Sequence, residues 1–277
     1  MQIAAFKDRP TLARALSKAL KSPIAWAEAG HYASGEVKVE GPGEVASRVV
    51  VAADVEEEAE SLMRILFLAA ALRSSGARHV TLVAPWIAYG RQDRVTKAGE
   101  SPAGIVVAKT LSQAFDRIVT LDAHSPAFIH AFGNRLVNVM PVLGKMTGVD
   151  VIVAPDWGAA QRAERLAWAW KVPCVVLEKR HVRQGVVTKM AKKDQVKVKD
   201  RKALVVDDMA DSGGTLKAAA KVLRQAGARN IRIFVTHALN PAKLRRGLWD
   251  TSVYWAYDHA KKQLNKTFLK AIAGKIS

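Results

Sequence analysis

Three clusters of residues in this 277-residue chain have types and spacing suited to phosphate chemistry. The first reads VVDDMADSGGTL, residues 205–216. An apolar run of strand type, 203–206, leads into it, and 216–225 follows with helical apolar spacing that stops at Gly227. The segment therefore belongs at the carboxyl end of a strand and the start of a helix, where open α/β sheets bind ligands. Gly213 and Gly214 let the main chain turn tightly with its N–H groups inward. Ser212 and Thr215 add hydroxyl donors, and the helix start adds a partial positive charge. Asp207 and Asp208 are poor phosphate ligands but good acceptors for vicinal hydroxyls. A donor nest beside hydroxyl acceptors suits a sugar phosphate. An ordinary polar strand-to-helix turn uses the same glycines and threonine, and the paired carboxylates tip the reading. No Gly-Lys-[Ser/Thr] follows, so this is not a Walker loop.

The second cluster follows an apolar strand at 80–85. Arg91 and Arg94 bracket Gln92 and Asp93, with Lys97 and Glu100 beyond. Two guanidiniums at a strand tip suit bidentate phosphate contacts, while Gln92 and Asp93 offer groups for a base or ribose. Taken alone, the same residues read equally well as a solvated loop. The third cluster is spread over further strand ends: Asp122-Ala-His124, then Pro155-Asp156-Trp157-Gly158, then Glu178-Lys179-Arg180-His181. The polar, basic stretch after His181 has the composition of a lid closing over phosphates, or of a solvated basic hairpin.

The 205–216 segment closely resembles the 5-phosphoribosyl 1-pyrophosphate (PRPP) motif shared by phosphoribosyltransferases and ribose-phosphate pyrophosphokinases. Tyr89-x-Arg91-Gln92-Asp93-Arg94 followed by Lys97-x-Gly99-Glu100 is similar to the ATP segment of the pyrophosphokinases and is foreign to the transferases. The resemblance covers residues 30 to 240, approximately. It implies that Asp207 and Asp208 hold the ribose hydroxyls while Asp211, Ser212, Gly213, Gly214 and Thr215 wrap the 5-phosphate. It also implies that Arg91, Gln92, Asp93 and Arg94 hold ATP, and that His124 and Asp156 ligate Mg2+. Lys179, with Arg180 or His181, would stabilise charge on the transferred group. The segment Tyr32, Ser34, Gly35 and Glu36 matches the family element that reads adenine across a subunit interface, so a homodimer or larger homo-oligomer is expected.

The implied reaction takes ATP and ribose 5-phosphate to AMP and PRPP. Several positions depart from the pattern. Ser34 replaces an aspartate and removes an acceptor for the adenine amino group. His181 stands where an arginine is expected, with Arg180 and Arg183 as substitutes. Gly133 and Val137 replace acids tied to phosphate-dependent regulation in some members. A catalytically impaired paralogue and a phosphoribosyltransferase consuming PRPP stay open at this stage, as does ADP as the donor.

Positioning these loops requires an alternation of apolar strands and amphipathic helices, the pattern of a parallel-sheet α/β protein. Helices are expected at 10–20, 56–75, 102–114, 159–170 and 216–225. Strands are expected at 23–26, 36–40, 49–53, 80–85, 118–121, 151–154, 174–177, 203–206, 231–236 and 253–255, with a basic helix at the C-terminus. Each half repeats strand, polar loop, helix. The expected fold is therefore α/β with two similar domains, each a mostly parallel sheet flanked by helices, as in phosphoribosyltransferases. The expected domains are 1–143 on the ATP side and 144–277 on the ribose 5-phosphate side.

Composition narrows the class. The 49% hydrophobic and 25% charged content is that of a globular protein. The longest apolar run, 65–72, is far too short to cross a bilayer. Lys7, Asp8 and Arg9 occupy the place of a signal-peptide core, so a cytoplasmic protein is expected. One cysteine, Cys174 in an apolar context, excludes an internal disulfide and a cysteine-based metal site. The net charge of +18 is spread along the chain without interleaved aromatics or a nucleic-acid motif. Polyanionic small substrates account for it, and neither specific nucleic-acid binding nor a membrane role is expected.

Overall fold

Runs of β-branched residues build two large sheets in the computed structural model. The structure describes residues 1–140, 143–182, 185–247 and 252–276, the side chains of 180–182, 185–187, 246 and 247 lying outside that description. In chain order the first elements are β1 (Gln2–Phe6), α1 (Thr11–Leu20), β2 (Ile24–His31), β3 (Val37–Glu40), β4 (Arg48–Ala52) and α2 (Ala59–Ser74). There follow β5 (His79–Val83), α3 (Ala103–Ala114), β6 (Arg117–Leu121), α4 (Pro126–Ala131) and β7 (Leu136–Val139). The sheet order is β3-β2-β1-β4-β5-β6-β7. All neighbours run parallel except β3, which returns antiparallel to β2 as a hairpin. Val51, Leu82 and Ile118 from three adjacent strands pack with Leu68, Leu72 and Leu111 of the covering helices, and all are fully buried. Truncating one such leucine to alanine costs about 2–5 kcal/mol.

The second sheet repeats the theme. The remaining elements in chain order are β8 (Val151–Ala154), α5 (Ala160–Trp170), β9 (Cys174–Val176), β10 (Glu178–Val182), β11 (Gly185–Lys189), β12 (Lys202–Ala210), α6 (Gly214–Gln225), β13 (Asn230–Ala238), α7 (Pro241–Gly247), β14 (Ser252–Asp258), β15 (Gln263–Leu264) and α8 (Lys266–Ala273). The order is β15-β14-β13-β12-β8-β9, with β8, β9, β12, β13 and β14 parallel. Val153, Val205 and Ile233 lie on one buried row, covered by Leu216, Ala220 and Leu223 of α6. In each sheet the parallel strands end on the same edge, so the polar loops after β5 and β6, and those after β8 and β12, emerge together.

The chain divides into two units, Met1–Met140 with Leu264–Ser277, and Pro141–Gln263. The reading of 144–277 as one domain differs at its C-terminal end. Phe268 and Ile272 give α8 an apolar face, and it packs on α1 and β6 of the first unit.

Three other expectations change in detail. Residues 56–58 precede α2 instead of forming its first turn, because Val55 pairs with Ile87 and the Glu56 N–H donates to Ser61 Oγ at 3.0 Å. The stretch 179–202, read as a lid or a solvated basic hairpin, takes the hairpin form, β10–β11 beginning at Glu178, and adds a 3₁₀ turn at Lys192–Lys197. β12 continues through Ala210, so Asp207 and Asp208 sit inside the strand and not beyond its tip. Strands β1 and β7 and helices α4 and α7 have no counterpart in the sequence reading. Among the described residues, no helix is long and apolar enough to cross a membrane.

Candidate active site

In the second unit, β12 carries two carboxylates into a crowded strand end. Asp207 pairs in register with Val235 of β13, and Asp208 is buried. Asp207 accepts from the Asp208 N–H at 3.0 Å, and Asp208 accepts from the Met209 N–H at 2.8 Å. Burial pushes the Asp207 carboxyl well above the ordinary range. The neighbouring Asp208 and the more distant Asp156 push the same way, while the Arg162 guanidinium opposes them. Two adjacent acids held this way are matched to an occupant with hydroxyl donors or positive charge.

The chain then turns at Gly213, whose φ of +74° is a left-handed conformation that favours glycine, and enters α6. Asp211 and Ser212 are exposed in this turn. No side chain caps the N-terminus of α6. Its first N–H groups and its positive dipole end face outward beside Ser212 and Thr215, the arrangement of an anion cradle. A Cβ on Gly214 would meet only Ser212 Oγ, at 3.8 Å. The openness there suits close approach of a ligand.

Lys179, second residue of β10, joins this loop to the next one. Its ammonium forms an ion pair with Asp156 Oδ2 and donates to Thr215 Oγ1 at 3.2 Å. Asp156 follows β8 and accepts from the Ala159 N–H at 3.3 Å, which fixes the turn that starts α5. The second unit thus brings Asp156, Lys179, Asp207, Asp208 and Thr215 together from four segments. Arg180 and His181 occupy β10 opposite Val187 and Val186, but their side chains, like Arg183 as a whole, lie outside the described residues.

In the first unit, the loop after β5 is pinned on both sides. The stretch 86–88 extends the β4–β5 pairing: Val55 N–H donates to the Trp86 carbonyl at 3.0 Å and Ala88 N–H to the Val55 carbonyl at 2.8 Å. Asp54 Oδ1 accepts from the Trp86 N–H at 2.9 Å, and the Trp86 indole donates to Glu57 Oε1 at 3.1 Å. The Tyr89 hydroxyl donates to the Glu57 carbonyl. Arg91 and Gln92 are exposed, and Asp93 lies under Arg94 at 4.0 Å. Further on, Glu100 accepts from Thr96 and Lys97, and the Thr96 hydroxyl holds its carboxyl below the usual range. His124, exposed after β6, lies against the same loop: a Cβ on Gly90 would stand 3.6 Å from the His124 Cβ. Asp122, two residues earlier, is buried with a φ of +48°.

The Tyr32–Glu36 turn is elsewhere in that unit. It closes the β2–β3 hairpin, with Gly35 at φ +89° and Ser34 Oγ donating to Glu36 Oε2 at 2.7 Å. Lys38 Nζ sits 5.5 Å from the Tyr32 ring centroid. Strands β1 and β4 intervene between β2 and β5, three strand spacings of about 4.8 Å each. The hairpin and the Arg91–Arg94 loop therefore leave the sheet from strands three places apart.

Sequence reasoning missed Asp54, Glu57, Arg162 and Gly104. The acids from Glu56 onward read as a helix start, Asp54 just ahead of it drew no reading, and Arg162 lay in the family-like segment after β8 without being given a role. A glycine inside the apolar periodicity of α3 was the one available signal for a close contact there.

A divalent cation at these loops would have to draw most of its ligands from elsewhere. Among the described residues no group of three or more His, Cys, Asp or Glu forms a cage. A carboxylate such as Asp156, beside the cluster that raises Asp207, suits an ion completed by phosphate and water oxygens.

Two family models match the chain: the N-terminal domain of ribose phosphate pyrophosphokinase over residues 1–114, and the phosphoribosyl transferase domain over 144–265. The ribose-phosphate pyrophosphokinase of Pyrococcus furiosus is 32% identical over 79% of this chain and 80% of its own length. That of Thermococcus kodakarensis is 35% identical over 76% of this chain and 77% of its own. The crystal structure of phosphoribosylpyrophosphate synthetase from Mycobacterium smegmatis superposes with a TM-score of 0.79, covering 100% of this chain and 98% of that one at 23% identity, a likeness of fold.

Proposed function

The chain belongs to the ribose-phosphate pyrophosphokinase family, and from that premise we propose how its residues divide the work of the reaction. The β,γ-diphosphoryl group of ATP passes to the 1-hydroxyl of ribose 5-phosphate, giving PRPP and AMP. The 1-hydroxyl oxygen forms the new bond to the β-phosphorus and gives up its proton to solvent, the bond from that phosphorus to the α,β-bridging oxygen breaks, and AMP leaves with the bond's electron pair. Phosphoryl transfer asks mainly for alignment and charge neutralisation.

The uncapped start of α6, with Ser212 and Thr215, holds the 5-phosphate. Asp207 and Asp208 accept from the ribose hydroxyls, which replaces their mutual repulsion with hydrogen bonds. Arg91 and Arg94 grip the ATP phosphates, with Gln92 and Asp93 turned to the nucleoside. Asp156 in the second unit and His124 in the first are each a side chain that would hold Mg2+. When bound, the ion neutralises phosphate charge and fixes the phosphate geometry. Lys179 stabilises charge developing on the transferred group, with Arg180 or His181 beside it. One lost donor of this kind costs about 2.7–4 kcal/mol.

The observation that carries this reading is the convergence of Lys179, Asp156 and Thr215. An ammonium that meets both a candidate metal ligand and a candidate phosphate ligand stands where it could act on a group transferred between them. The separation of the Tyr32–Glu36 turn from the Arg91 loop supports a second copy supplying that turn, and hence at least a homodimer. Ser34 then acts through Glu36, whose carboxylate it orients.

The reading is tested by incubating the protein with ATP, Mg2+ and ribose 5-phosphate and quantifying AMP and PRPP beside Lys179→Ala. Equal amounts of the two products, lost in the variant, are expected. No turnover with either ATP or ADP as donor would overturn it.

A further inference from the structure

The turn that carries Arg91 rests on a single glycine of the following helix. Gln92 N–H donates to the Tyr89 carbonyl at 2.8 Å and closes a four-residue turn over 89–92. Tyr89 enters it at a φ of +66°, unusual for a bulky residue. Gly104, second residue of α3, donates its N–H to the Gln92 carbonyl at 2.9 Å. A Cβ built on Gly104 would lie 2.5 Å from the Tyr89 carbonyl oxygen and 3.1 Å from that of Gln92. Both obstacles are main chain, so no side-chain rotation relieves them.

Conformation does not explain the glycine. Its φ is not in the left-handed region, and glycine is the poorest helix former after proline. Space explains it. On the other side of the turn, Gly90 meets the Phe128 ring, where a Cβ would approach to 3.1 Å. The turn is therefore clamped between α3 and α4, and Glu57 holds the Tyr89 hydroxyl as a third point.

We infer that Gly104 is a positioning residue for the nucleotide: its missing side chain seats the 89–92 turn on the start of α3 and so aims Arg91 and Gln92. The inference rests on the proposal that this loop binds ATP. The geometry of the turn stands independently of that proposal, and the test separates the two.

In the ligand-free full-length chain, Gly104→Ala is expected to raise trypsin cleavage after Arg91 and Arg94 several-fold relative to other exposed sites. Its thermal midpoint should hold, because alanine is the better helix former. The KM for ATP should rise roughly 10- to 100-fold, as for a displacement near 1 Å. The Kd for ribose 5-phosphate, measured by calorimetry, should not move. Unchanged cleavage and unchanged KM for ATP, in a protein where Arg91→Ala does weaken ATP, would overturn the role of Gly104 alone. Raised cleavage with ATP unaffected by both Gly104→Ala and Arg91→Ala would overturn the nucleotide reading of the loop and the inference with it. Equal weakening of both ligands would make the role merely structural.

Discussion

Lys179 and Asp156, 23 residues apart, form an ion pair in the second unit, and the same ammonium donates to Thr215 at 3.2 Å. The pair is about a quarter to a third exposed, with side chains 32% and 24% accessible, so its own worth to stability is small. Its consequence lies in placement. A strand, a strand-to-helix turn and a helix start are tied at one cationic point.

Lys179→Ala should therefore separate turnover from binding. With the cradle of α6 intact, the Kd for ribose 5-phosphate should change by less than about 1 kcal/mol, the worth of one exposed ionic contact. kcat should fall about 10²–10³-fold. Calorimetry with ribose 5-phosphate and steady-state rates on one preparation decide it. Equal losses in both would assign Lys179 to binding alone.

The paired carboxylates make stability depend on pH. Burial and Asp208 raise the folded pKa of Asp207 above its unfolded value near 3.9. The folded state then holds its proton longer, so the stability it favours is present at low pH and is lost as pH rises from about 4 through the raised value. Asp207→Asn should raise the ligand-free thermal midpoint at neutral pH, and the gain should vanish below pH 4, approximately. The same change should weaken ribose 5-phosphate by roughly 10- to 100-fold, the loss of one charge-assisted hydrogen bond. A wild-type midpoint that ran parallel to the variant's across this range would contradict the coupling.

A buried histidine pair acts in the opposite direction. His259 Nε2 lies 3.4 Å from His237 Nδ1, with Tyr257 against both rings. Burial, then the neighbouring His237 and Lys262, push the His259 pKa down to about 2. Below pH 6.5 the unfolded chain takes up a proton that the folded chain refuses, so stability falls by about 1.4 kcal/mol per pH unit as the pH drops. His259→Gln should flatten denaturant-derived stability between pH 6 and 4 by about that slope. An unchanged slope would assign the acid sensitivity to other groups.

The hairpin separation predicts complementation between copies. Tyr32→Ala and Arg91→Ala should each be inactive or nearly so when pure. Unfolded together and refolded as a mixture, they should recover activity, because a mixed dimer holds one site with both residues intact. Coexpression with two affinity tags isolates that species. A mixed dimer as inactive as its parents would put Tyr32 and Arg91 in the same chain's site, or Tyr32 in none.

The site motifs were legible because their chemistry is local. A left-handed turn calls for Gly213, adjacent acids stand out at Asp207 and Asp208 after an apolar run, and a strand-to-helix transition shows in apolar period over a dozen residues. Helices α1, α3 and α6 and strands β5, β6, β8 and β13 follow from the same short-range signals. Family resemblance then assigned roles that no period or spacing could assign.

What tertiary structure decided lies between segments distant in the chain. Glu57 looked like a helix residue and is an anchor for Tyr89, because β4 and β5 lie side by side and extend their pairing past both strand ends. Helix α8 follows the second sheet in sequence and packs with the first unit, since its apolar face finds α1 there. The β10–β11 hairpin was one of two readings of its basic stretch, whose weak alternation could not choose between hairpin and lid. Gly104 carried no turn signal, because its requirement comes from a carbonyl 15 residues earlier. The partners of Lys179 belong to this class too. Sequence alone determined which side chains could hold a phosphosugar; only the folded chain decided which of them meet, because burial and close approach are set by packing between segments that no local pattern encodes.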